Sequence, residues 1–232
     1  MISDQLLRPV QFFLIKQKPL LLRIFFASYI LLVATYVFGF WAFSILPQEF
    51  STLLELGGKF GVFSLGFYAL SLLPGILKRL QILPVIQVSL MLFRRQFGIL
   101  MFLFAINHSG YSIIFPTFAL TGAPPAVLST REIFGFVAEM VLFPLFITSN
   151  DISYRKLGSW WKVVHKLTYV ALLFIFGHIV LLGGSLEFKI FTGGLLFLEI
   201  LSWIVYFLRK SQIPATPLSP VQTPQAESGA QV

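Results

Sequence analysis

The chain has three histidines, and two of them stand inside apolar runs: His108 in GILMFLFAINHSGYSIIF and His178 in LTYVALLFIFGHIVLL. The third, His165, opens the second run between Lys162 and Lys166. Ionisable side chains are rare inside a bilayer, so an intramembrane histidine is a functional candidate by default. Neutral imidazole is a common metal ligand, and haem iron takes axial nitrogens from it. His108 lies about 13 residues beyond Arg95, and His178 about 13 beyond His165. At ~1.5 Å per helical residue both sit ~20 Å from the same end of their helices. Two level histidines on two helices form a plausible haem pair, since ligands in a bundle come from facing helices.

His165 is level with Arg94 and Arg95 rather than with another histidine. Those arginines could pair with a haem propionate or a lipid phosphate. Thirteen residues of straight helix turn about 1300°, so His165 and His178 do not share a face. The competing role for a lone intramembrane histidine is a hydrogen bond to a neighbouring helix. Glu139 and Glu199 also fall inside apolar segments, where each could tune a cofactor's field, conduct protons or bond a neighbouring helix.

The elements that must position these residues follow from composition. Of 232 residues, 57% are hydrophobic and 11% charged, against roughly 25% charged in a soluble domain. The chain therefore reads as an all-α polytopic membrane protein. Without cysteine it has no Fe–S ligands, no c-type haem attachment and no disulfide. The net charge of +8 does not point to nucleic acid, because the charges cluster at the ends of apolar segments.

Apolar segments at 24–46, 60–82, 97–119, 133–150, 165–184 and 189–208 each approach the ~20 residues needed to span hydrocarbon. They predict a six-helix bundle, with Pro144 kinking the fourth helix. If the N-terminus is inside, one side receives 14 lysines and arginines and the other only Lys59, Arg131 and Lys189. That asymmetry predicts both termini cytoplasmic. Residues 1–23, interrupted by Pro9 and Pro19, read as a cytoplasmic interfacial segment, and 24–208 as the membrane domain. Residues 83–93 are too short to span and read as a half-buried connection; 120–131 is a turn-rich loop. The tail 209–232, rich in Pro, Ser, Thr and Gln, reads as disordered and cytoplasmic. Gly57-x-x-x-Gly61 is either a helix-packing motif or a flexible entry to the second span.

Arg94-Arg95-x-x-Gly98 followed by His108 is one recognisable pattern. Thr148-Ser149, Leu157-Gly158-x-x-Trp161-x-x-x-His165-x-Leu167-x-Tyr169 and His178 is the other. Together, over roughly residues 57–208, they resemble the ferric reductase-like transmembrane domain family. That family includes the membrane portion of NADPH oxidases and the bacterial haem-binding subunit of the periplasmic methionine sulfoxide reductase system. The resemblance implies six helices, b-type haem between the third and fifth, and electrons moving outward from the cytoplasmic side. It carries His108 and His178 onto the outer haem pair and His165 onto one ligand of an inner haem. The oxidases have a second histidine near position 94 or 95, where this chain has arginine, as the bacterial subunit does.

The expectation is a b-type haem subunit of an oxidoreductase, in the cell (inner) membrane, carrying electrons to an acceptor on the outer side. Its cofactor is one haem b, with a second at His165 and FMN or quinone as further candidates. No G-x-G-x-x-G occurs, so electrons are expected from a separate reductase or from quinol. Its partners are then the bilayer, that donor and an outer-side redox protein. Two alternatives stand beside it: a haem-free transporter using Glu139, Glu199 and the histidines for protons, and a membrane anchor for a partner enzyme.

Overall fold

A computed structural model describes residues 2–181, 183 and 185–212. It is all-α, with no strand among the described residues. Helix α1 (Ile2–Lys16) precedes α2 (Lys18–Ile45) and α3 (Phe50–Leu80). The short α4 (Pro84–Met91) leads into α5 (Arg94–Ser109), which continues through a π-helical turn, Gly110–Ile114, into α6 (Phe115–Thr121). Then come α7 (Thr130–Ile147), α8 (Asp151–Leu157), α9 (Ser159–Val164), α10 (Leu167–Leu181) and α11 (Leu186–Ser211).

Five helical stretches are long and apolar enough to cross a membrane: Lys18–Ile45, Phe50–Leu80, Arg94–Thr121, Ser159–Leu181 and Leu186–Ser211. Helix α7 becomes a sixth only if joined to α8, from which it is bent by 89°. The chain is a multi-pass membrane protein. Helices are the form such a chain must take, since backbone groups facing lipid tails find partners only within their own segment.

The first long helix starts at Lys18, six residues before the apolar run that predicts it. Pro19 sits in its first turn, where backbone N–H groups have no helical partner, so the proline begins the helix instead of breaking it. Helix α1 runs through Pro9 and lies against α4, whose residues are none of them fully buried. Helix α3 ends at its C-cap Gln81 and α4 starts at its N-cap Leu83, both in left-handed backbone conformation, with Lys78 and Arg79 in the last turn of α3 complementing the helix dipole. A capping box, Ser129 with Glu132, starts α7. Of the predicted tail, α11 takes the residues up to Ser211, and 213–232 lie outside the described residues.

Two clusters hold the bundle together. Leu32, Phe43, Phe60, Leu103, Tyr111 and Phe115 join α2, α3, α5 and α6. Tyr68, Leu72, Met101, Phe102, Leu142, Leu172 and Leu195 join α3, α5, α7, α10 and α11. Lipid tails are as apolar as leucine, so close packing and interhelical hydrogen bonds supply the association. The rings pack accordingly: Phe102 stacks on Phe146 at 4.5 Å and Phe67 on Phe104 at 5.6 Å. The outward residues of α2, such as Ile30, Leu31, Val33 and Val37, stay exposed, as a lipid-facing surface should.

Candidate functional site

Helices α5 and α10 bring His108 and His178 together, their ring centroids 6.2 Å apart and their planes at 78°. The Nδ1 atom of His108 lies 2.8 Å from the carbonyl oxygen of Gly57 on α3. That of His178 lies 2.7 Å from the carbonyl oxygen of Arg131 on α7. A carbonyl only accepts, so each Nδ1 carries the hydrogen and donates it. In the neutral ring this leaves the Nε2 lone pair free, and neither Nε2 has a protein partner among the described residues. Second-shell hydrogen bonds of this kind fix the tautomer and raise the basicity of metal-ligating histidines.

Both rings rest on glycine, one helical turn after the accepting carbonyl. A Cβ on Gly61 would stand 2.9 Å from Nδ1 of His108, and one on Gly135 2.9 Å from Nδ1 of His178. The imidazoles can reach the helix backbone only because those side chains are missing. Gly57-x-x-x-Gly61 lies inside α3 and is a helix-packing motif, not a flexible entry: Gly57 packs against Tyr111 and Ser112, and Gly61 seats the histidine. Gly135 had no sequence signal that marked it. The acceptor lies four residues before the glycine in both cases, 57 to 61 and 131 to 135, but it is a backbone carbonyl that any residue carries, so only packing marks it.

The height and rotation of His108 are held from both sides. Asn107, fully buried, donates from Nδ2 to the Leu32 carbonyl on α2 at 3.1 Å and to the Leu103 carbonyl at 2.8 Å. Directly after His108 the helix widens into the π-helical turn, and Ser112 on that turn lies 3.3 Å from Nδ1 of His108. Pro116 follows and cannot donate to the helix ladder, which favours a local irregularity here.

Between α3, α7 and α10 the two histidines open onto a cavity of about 540 Å³. Its walls are mainly apolar, with Val62, Leu65, Phe136, Leu142, Ile175 and Phe188 among them. Glu139, 8% exposed, also lines it, and Glu55, Lys59 and Glu132 stand at the end nearest the α2–α3 and α6–α7 connections. A metal–imidazole bond is about 2 Å, and the ring centre lies roughly 1 Å behind the nitrogen, so two axial imidazoles have centroids roughly 6 Å apart. The observed separation fits that value. No group of three or more His, Asp or Glu side chains able to hold a metal occurs among the described residues. An ion held here must bring its remaining ligands with it, as haem iron does through its own ring nitrogens.

The basic end of the bundle is built differently. His165 caps α9 at a short turn between α9 and α10 within the Ser159–Leu181 stretch, so its rotation relative to His178 is not that of an uninterrupted helix. Its ring stacks on Trp161 at 3.8 Å, and its Nε2 lies 3.2 Å from the Thr148 hydroxyl. Trp161 Nε1 donates to the Thr148 carbonyl at 3.0 Å. Thr148, Trp161 and His165 thus form a clasp that ties α9 to the end of α7. Arg94 donates from Nε to the Ser71 carbonyl at 3.0 Å. Arg95 pairs with Asp151 at 2.7 Å, and that hydrogen bond holds the exposed Asp151 carboxyl below the usual aspartate range.

Sequence reasoning counted Arg79 only among the charges at a helix end, and the structure turns it inward, its side chain 11% exposed. It forms an ion pair with Glu199, donates to the Ser202 hydroxyl at 2.8 Å, and lies over the Trp203 ring at 4.6 Å. Trp203 Nε1 also donates to Glu199 at 3.1 Å. Glu199 is therefore an interhelical tie between α11 and α3, whereas Glu139 faces the cavity.

The family model described as ferric reductase like transmembrane component matches residues 60–176. The protein-methionine-sulfoxide reductase heme-binding subunit MsrQ of Agrobacterium fabrum is 28% identical over 156 residues, 65% of this chain and 70% of that protein. The Brucella ovis protein of the same name is 33% identical over 110 residues, 47% of this chain and 50% of its own length. That of Brucella anthropi is 28% identical over 141 residues, 57% of this chain and 64% of its own. No solved structure matches the chain. The matched family region takes in half of the chain, with α5 and α7, most of α3 and the first two thirds of α10, ending two residues before His178, so the chain belongs to the ferric reductase like transmembrane component family.

Proposed function

We propose that this chain is the haem-binding membrane subunit of an oxidoreductase, with one b-type haem held between His108 and His178. The observation that carries the proposal is the adjacent pair itself: the ring centroids lie 6.2 Å apart, each Nδ1 is committed to a backbone carbonyl, and both residues line one mainly apolar cavity. The names of the relatives, heme-binding subunits of a methionine-sulfoxide reductase, support it. When bound, the haem supplies a one-electron iron couple. His108 and His178 would hold it through their Nε2 nitrogens. The carbonyls of Gly57 and Arg131 hold both rings in the tautomer with Nδ1 protonated, and mainly apolar walls line the site.

The lysine and arginine bias supports a cytoplasmic basic end, in the cell's inner membrane. The histidine pair then lies toward the outer face. Electrons enter from the cytoplasmic side or from quinol and leave to a partner reductase outside. We assign no second haem to His165, whose Nε2 is taken by Thr148. Arg94 and Arg95 are likewise taken, by Ser71 and Asp151.

The test is to purify the chain from membranes with adequate haem supply and record haem per chain and the reduced-minus-oxidised spectrum. The expected result is one haem, lost or spectrally altered in His108→Ala and in His178→Ala. A colourless protein, or an unchanged spectrum in both single variants, overturns the proposal.

A further inference from the structure

We propose that Lys59 receives a carboxylate of the group held between His108 and His178, and so fixes which edge of that group faces the α2–α3 and α6–α7 end of the bundle. The inference rests on the haem reading above. A b-type haem carries two carboxylates on one edge. A carboxylate in an apolar cavity needs a cation or water. Lys59 is the one lysine or arginine among the described residues lining the cavity.

Its present partner is weakly held. Lys59 Nζ lies 2.8 Å from Glu55 one turn earlier on α3, with side chains 62% and 69% exposed. Exposed pairs of this kind contribute little and exchange partners readily. The other nearby charges are committed. Glu132 accepts from the Ser129 backbone N–H at 2.7 Å in the capping box of α7, and Arg131, 3.9 Å from Glu132, does not line the cavity. Gly58, next to Lys59, leaves open space where a side chain would project, with nothing within 4 Å of an added Cβ. Glu139 occupies the deeper wall, one turn beyond Gly135 on α7, and offers an anionic edge no cation there. One carboxylate therefore meets Lys59, and the second meets water beside it.

Lys59 is exposed, so its replacement leaves the fold intact. The apo chain is loaded with protohaem or with its dimethyl ester, whose carboxylates are blocked, and release to excess apomyoglobin is timed. Midpoint potentials are recorded alongside. Lys59→Gln should release protohaem about two- to fivefold faster, with a lower midpoint potential because a nearby cation favours the reduced iron. Lys59→Arg should restore both values, and the dimethyl ester should leave at equal rates from wild type and Lys59→Gln. Equal release of protohaem from wild type and Lys59→Gln, or an equal effect with the ester, overturns the inference and leaves the haem reading standing. A wild-type chain that takes up neither porphyrin overturns both.

Discussion

Replacing Gly61 or Gly135 by alanine probes the seat of the histidines without touching a histidine. A Cβ at either position would stand 2.9 Å from the imidazole Nδ1 and 3.1 Å from Cε1. To regain ordinary contact near 3.4 Å the ring must retreat by about half an ångström. That retreat is a quarter of a ~2 Å metal–imidazole bond, and it stretches the 2.8 Å and 2.7 Å bonds to Gly57 and Arg131 beyond good geometry. Losing an outer-shell partner typically weakens metal affinity by about 10- to 100-fold, which is about 1.4–2.7 kcal/mol. The assay is titration of the apo chain with haem in detergent, followed by absorbance. Gly61→Ala and Gly135→Ala should each fall in that range while keeping wild-type helical content. Gly194→Ala, where an added Cβ meets nothing within 4 Å, is the control. Wild-type affinity and an unchanged spectrum in both seat variants would refute the reasoning.

Glu199→Ala strands Arg79 in the bundle and should cost about 3–5 kcal/mol. The double change Arg79→Met with Glu199→Leu should recover most of that in thermal unfolding, and a double variant no more stable than Glu199→Ala would contradict the account. Asn107→Leu removes the bonds to Leu32 and Leu103 and should cost about 1 kcal/mol. An unchanged unfolding temperature for that variant would show that the tie to α2 is idle.

Sequence alone determined that the chain is helical and crosses the membrane several times, because long apolar runs leave the backbone no other way to satisfy itself. It also determined that His108 and His178 stand at one height, since height along a helix is a sum of equal steps. Rotation and surroundings are not such sums. They depend on where helices break and on what the neighbours offer. The break at His165, the π-helical turn after His108 and the start of α2 at Lys18 each changed a local expectation. The tertiary structure alone decided that Gly57 and Arg131 lend their carbonyls, that Gly61 and Gly135 clear the space, and that Arg79 meets Glu199 across 120 residues of chain. These are contacts between helices far apart in the chain, and only packing brings them within a hydrogen bond's reach.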